Sequence, residues 1–146
     1  MSLMDAVPIE RGVEPIIGWR AWYIVGGFPC LRSLTINCYW QPGQPLAVRN
    51  LEYLKKHDMG IHAFFNENDA ATYVEYSAAC PDYRLTRVHG KVYLWGTVVE
   101  CEKGYRAQYA YPMSLKIERP LSSVRRERDL PGELRARYGC EAEWAS

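Results

Sequence analysis

The run from Gly90 to Pro112, GKVYLWGTVVECEKGYRAQYAYP, has the period and turn chemistry of a long β-hairpin with a heavy load of aromatic residues. Tyr93, Trp95, Thr97, Val99 and Cys101 fall on one face of the first strand, and Val92, Leu94, Gly96, Val98 and Glu100 on the other. Glu102-Lys103-Gly104 supplies a short turn, with a glycine available for positive φ. The return strand Tyr105–Tyr111 sets Tyr105, Ala107, Tyr109 and Tyr111 opposite Arg106, Gln108 and Ala110.

Upstream, residues 5–17 hold Pro8, Gly12 and Pro15 without a period and read as an extended lead-in, while Met1-Ser2-Leu3 before Met4 reads as an added leader and is set aside. Gly18–Val25 alternates Trp19, Ala21, Tyr23 and Val25 with Arg20, Trp22 and Ile24, and bulk on both faces points to an interior strand. Gly26-Gly27 turns the chain into a second strand near Leu31–Cys38, which the prolines of Trp40–Pro45 end. Leu46–His57 has a thin apolar stripe that fits a helical turn or an irregular loop. Gly60–Phe65 resumes strand character, and Asn66–Asp69 offers N-caps for a helix through Ala79, with Tyr73, Tyr76 and Ala79 or Cys80 on its buried side.

Downstream, Leu85–Val88 pairs with the hairpin, and Ser114–Glu118 alternates as a further strand. Arg119–Arg137 holds six arginines against three acids, and Pro131 to Tyr138 followed by Gly139 matches the proline-first, glycine-last asymmetry of a short helix. Cys140–Trp144 reads as a last edge strand or docked end. The whole predicts one α+β domain over residues 5–146: a twisted antiparallel sheet of roughly six strands packed with one or two helices, the arginine-rich tail 119–146 docked on it.

A chain of 146 residues with 48% hydrophobic and 13% aromatic residues can build a core without disulfide or metal. A formal net charge of +1 gives no general pull toward nucleic acid or an anionic membrane. The five cysteines, Cys30, Cys38, Cys80, Cys101 and Cys140, contain no CxxC pair, which fits reduced thiols and a cytoplasmic location. No apolar stretch approaches the ~18–20 residues that span a bilayer, so no membrane partner is expected.

GWRAW (18–22), LRSL (31–34), Trp40-x-Pro-Gly43, GIHAF (60–64) and LWGTVVECEKGYRAQYAYP (94–112) together resemble a family of small actinobacterial and phage proteins with no assigned activity. The resemblance covers most of residues 18–112 and implies a shared fold but no reaction. In its members the stretch before G-I-Y-A often carries cysteines and a histidine that look like a small metal site. Here Lys56-His57-Asp58-Met59-Gly60 has His57 and Met59 in place of those cysteines, so neither a metal nor another cofactor is expected.

Chemistry was weighed residue by residue. His57 and His62, five residues apart beside Asp58, make a weak zinc signature. Cys101 between Glu100 and Glu102 lacks the electropositive setting of a nucleophile, and Glu100 and Glu102 read as a solvated strand end. Trp and Tyr with Arg are the residues enriched at binding hot spots, and Trp19, Trp22, Trp40 and Trp95 exceed what a core this size requires. If Arg20 and Arg106 occupy adjacent strands, two guanidinium groups can receive one carboxylate or phosphate. The leading expectation is therefore a non-enzymatic binding module for a partner protein or an acidic ligand. Its surface would comprise Trp95, Tyr105, Arg106, Tyr109 and Tyr111, with Arg20 and Trp22 as neighbours. A nucleic-acid-associated protein of phage or defence context is the alternative, its rings stacking on bases and Arg119, Arg125, Arg126 and Arg128 on phosphates. A small enzyme using Glu100, Cys101, His62 and His89 is the second alternative, and an exposed hairpin edge would also suit a homodimer.

Overall fold

The computed structural model describes residues 14–26, 28–33, 38–48, 60–77, 85–119 and 128–145. Its elements are β1 (Ile16–Val25), β2 (Leu46–Ala47), β3 (Ile61–Phe64), α1 (Glu67–Ser77), β4 (Leu85–Glu100), β5 (Gly104–Ile117), α2 (Leu130–Tyr138) and β6 (Glu141–Trp144). This is the α+β arrangement of six strands and two helices that the hairpin predicted. The hairpin is longer than its aromatic centre, because Leu85–Val88 runs straight into β4 and Ser114–Ile117 is the end of β5.

β4 pairs antiparallel with β1 from Ile16↔Leu94 to Val25↔Leu85, and with β5 on its other edge. The second edge of β5 is shared by three short strands in turn: β3 against 104–107, β2 against 109–110 and β6 against 114–117. β3 also touches β1 at Trp19↔Phe64, so β1, β4, β5 and β3 close on themselves. Full closure removes sheet edges that would otherwise be open to pairing. β6 departs from the antiparallel expectation: it lies parallel to β5, because α2 carries the chain back across the sheet between them.

The inside of this ring is built from Trp22, Ile24, Val88, Val92, Leu94, Ala107, Leu115 and Ile117, and α2 adds Leu130, Leu134 and Tyr138 at four-residue spacing. α2 begins where the Asp129 side chain accepts the Gly132 N–H at 3.1 Å, and it ends at Gly139. The interior character expected of β1 holds, since Ala21, Trp22, Tyr23 and Ile24 are buried on both faces, with Ala21, Tyr23 and Leu85 on the side where α1 packs. α1 starts with the Asn66 side chain accepting the Asp69 N–H, as its cap position predicted.

Several expectations are corrected. Trp95 and Tyr93 do not share a face: Gly96 adopts φ +76° and the register slips between Trp95 and Val98, so Trp95 turns inward next to Leu94. The N–H that this bulge frees on Thr97 is donated to Gln108 Oε1 at 3.1 Å. Gly104 is needed for space and not for positive φ, because a Cβ there would lie 1.9 Å from the Ala63 carbonyl oxygen. Tyr73 is 40% exposed and leans on Phe64, leaving Ala70 as the buried residue of α1. The second strand near Leu31–Cys38 reduces to the bridges Tyr23↔Arg32 and Arg32↔Tyr39. Residues 5–13, 34–37, 49–57 and 120–127, and the side chains of Tyr76, Ala79 and Cys80, lie outside the described residues. Among the described residues no helix is long and apolar enough to cross a membrane.

Candidate functional site

Strand alternation sends neighbouring residues of β1 to opposite faces, and Arg20 goes to the face that carries Trp22 and Ile24. Its Nη1 donates to the His62 carbonyl at 2.6 Å and its Nη2 to Ser33 Oγ at 3.2 Å. The guanidinium lies 5.0 Å from the Trp40 ring centroid, and Trp40 Nε1 donates to the same Ser33 Oγ at 3.1 Å. Trp22 closes the group, edge-on to Trp40 with centroids 5.4 Å apart. Four of the quoted stretches, GWRAW, LRSL, Trp40-x-Pro-Gly43 and GIHAF, thus meet around one side chain.

The loop that delivers Ser33 and Trp40 is fastened from below. The Trp40 N–H donates to the Leu31 carbonyl and the Ser33 N–H to the Cys38 carbonyl, folding 31–40 back on itself. Tyr138 of α2 then accepts the Leu31 N–H at 2.8 Å and donates its hydroxyl to the Trp40 carbonyl at 2.6 Å. Tyr111 donates to the Tyr138 carbonyl at 2.7 Å and accepts the Gly43 N–H at 2.8 Å. Burial pushes both phenols up, so they remain neutral hydrogen-bonding pins.

The Arg20 Nε is withdrawn from water and has no hydrogen-bond partner among the described residues, nor does any described carboxylate pair with the guanidinium. Burial pulls its pKa down to about 10, against the pull of Cys38 and Tyr73 toward higher values. The group is still cationic at neutral pH. A desolvated charge without a counter-ion is among the costlier arrangements in a protein, and an incoming anion relieves it.

The predicted site residues separate. Trp22 and Tyr111 are 0% and 1% exposed and Trp95 is 4% exposed, so these three are core, because each large ring buries more apolar area inside the ring of strands than a surface could use. Tyr105 is half-buried, edge-on to Phe65, and Tyr109 is half-buried, stacked on Trp95 at 5.7 Å. Arg20 and Arg106 are not on adjacent strands. β3 lies between them, with His62 directly opposite Arg106 and its carbonyl taken by Arg20. Ser33 escaped the sequence reading, since a serine in a loop carries no signal until its hydroxyl is seen bridging Arg20 and Trp40.

The residues considered for catalysis do not assemble. Glu100 and Cys101 are exposed at the far end of the hairpin, and His89 is engaged by Glu67 at 3.2 Å. Burial pushes the Cys140 thiol up to about 12, which keeps it from being a nucleophile at neutral pH. His57 and Asp58 lie outside the described residues, and among the described ones no group of three His, Cys, Asp or Glu side chains could hold a metal. No family model matches the chain, and the searches of curated proteins and of solved structures likewise return no match.

Proposed function

We propose that this chain is a binding module for a small acidic ligand, received at Arg20. The observation that carries the reading is a half-buried guanidinium fixed by His62, Ser33 and Trp40, with its Nε unused among the described residues and without a described counter-ion. Guanidinium presents five donors in a rigid fork suited to carboxylate or phosphate, and only two have partners here. Fixing the fork beforehand spares a ligand the entropy of ordering it. The core positions of Trp95 and Tyr111 favour this reading over base stacking along the hairpin.

The test is a thermal-shift and calorimetric titration with acetate and with phosphate, chloride holding ionic strength constant, on the wild type and on Arg20→Met. A ligand at a hundredfold its Kd stabilises by about 2.7 kcal/mol, so saturation raises Tm measurably. The expected result is a rise with at least one anion that Arg20→Met abolishes, while the variant alone keeps its stability within about 1 kcal/mol or gains some, as a buried charge gives way to an apolar chain. An anion-independent Tm together with a destabilised Arg20→Met would make Arg20 a structural brace. A single-stranded oligonucleotide in the same titration, binding in a manner that weakens steeply with salt, would favour the nucleic-acid alternative.

A further inference from the structure

The opposite face of the same strands carries a second constellation. In the sheet register Trp19, Lys91, Ser114 and Glu141 form one row across β1, β4, β5 and β6, and Ala21, His89, Lys116 and Glu143 form the next. Glu67, in the first turn of α1, reaches over the second row to His89 and accepts a hydrogen bond from Lys116 Nζ at 2.6 Å. Beyond Glu67 lies a cleft of about 420 Å³, floored by Trp19, with Lys91 and Lys116 on one side and Glu141 and Glu143 on the other. That volume suits a small molecule.

The charges in this cleft are sorted by strand. Glu67 compensates Lys116, while Lys91 rests 5.4 Å from the Trp19 ring centroid with no carboxylate in ion-pair range among the described residues. On the far side, the Arg135 guanidinium donates to the Ala142 carbonyl at 2.6 Å, between Glu141 and Glu143, and offsets one of those two carboxylates. One positive charge is left over on β4–β5 and one negative charge on β6, two strand spacings or about 10 Å apart at the backbone. A simple anion entering this field gains at Lys91 and loses at the glutamates, and a simple cation does the reverse. Only a molecule charged at both ends gains at both.

We infer that the cleft binds a zwitterion of the amino-acid or short-peptide type, its carboxylate at Lys91 and Ser114, its ammonium at Glu141 and Glu143, and its apolar side chain against Trp19. This site shares no side chain with the Arg20 site and stands whether or not an anion binds there. The experiment follows the indole Nε1–H resonance of Trp19, assigned with Trp19→Phe, while the full chain is titrated with glycyl-phenylalanine, with its N-acetyl form, with its C-terminal amide and with free phenylalanine. The expected result is a saturable shift with the dipeptide or free amino acid, with affinity about tenfold lower for each blocked form and for Lys91→Met and Glu141→Gln/Glu143→Gln, and unchanged in Arg20→Met. Preference between the dipeptide and phenylalanine sets the length of ligand that spans the charges. Equal binding of the N-acetyl form or of the amide, or no movement of the Trp19 resonance with any probe, would overturn the inference.

Discussion

Trp19 and Arg20 are neighbours on β1, yet their environments are the reverse of the usual arrangement. The indole stands on the outer face with two ammonium groups within 6 Å of its centroid, and the guanidinium sits on the inner face among Trp22, Trp40 and Ser33. A residue apart, on the same face as Arg20, Trp22 is wholly enclosed and behaves as ordinary core. The contrast separates rings that hold the fold from groups that face something else. Where apolar burial is complete, packing accounts for the residue; where a charge is drawn in or a large ring left half out, packing alone does not.

That contrast can be broken from the packing side first. Trp22→Ala removes a fully buried ring and is expected to cost about 3–5 kcal/mol in chemical denaturation. Next comes Gly104→Ala, whose methyl group would collide with the Ala63 carbonyl where β3 meets β5; the expected loss is about 1–3 kcal/mol in a thermal melt, and the anion response at Arg20 should weaken with it, since the His62 carbonyl lies on the same short strand.

The outer face should respond much less. Trp19→Ala is expected to change stability by about 1 kcal/mol, far below Trp22→Ala, because the ring is only half-buried; a loss as large as that of Trp22→Ala would erase the distinction between the two. The smallest effect is electrostatic. The Lys116 ammonium, with help from His89, holds the Glu67 carboxyl below its usual 4.5, so its contribution is present above that value and is lost as the pH falls through the lower, folded value. Glu67→Gln should therefore cost less than about 1 kcal/mol at neutral pH, in keeping with a largely exposed pair, and the gap from wild type should close below about pH 4. Urea titrations at several pH values would show it.

How far the chain is legible depends on the range of the interaction that decides each feature. Strand period, a proline at the start of α2 and Asn66 ahead of α1 are local signals, and each placed its element correctly. The alternation of β4 was legible up to Leu94 and failed at Trp95, because one glycine in a left-handed conformation resets the parity of everything beyond it. Tyr111 and Trp95 were read as surface because a tyrosine or tryptophan in a strand looks the same whether its face meets water or α2. Their burial is set by the return of the chain at Tyr138 and by the slip opposite Tyr109.

The sequence by itself determined the β-rich α+β class, the long hairpin, both helices and the choice of Arg20 as a candidate for acidic ligands, since period, capping and side-chain chemistry are written in consecutive residues. The tertiary structure alone decided that β3 separates Arg20 from Arg106, that Ser33 and Trp40 arrive beside Arg20, and that Lys91 and Glu141 share a row across three strands. Those juxtapositions join residues far apart in the chain, and the closure of β1, β4, β5 and β3 into one ring, a matter of register and not of composition, is what brings them together.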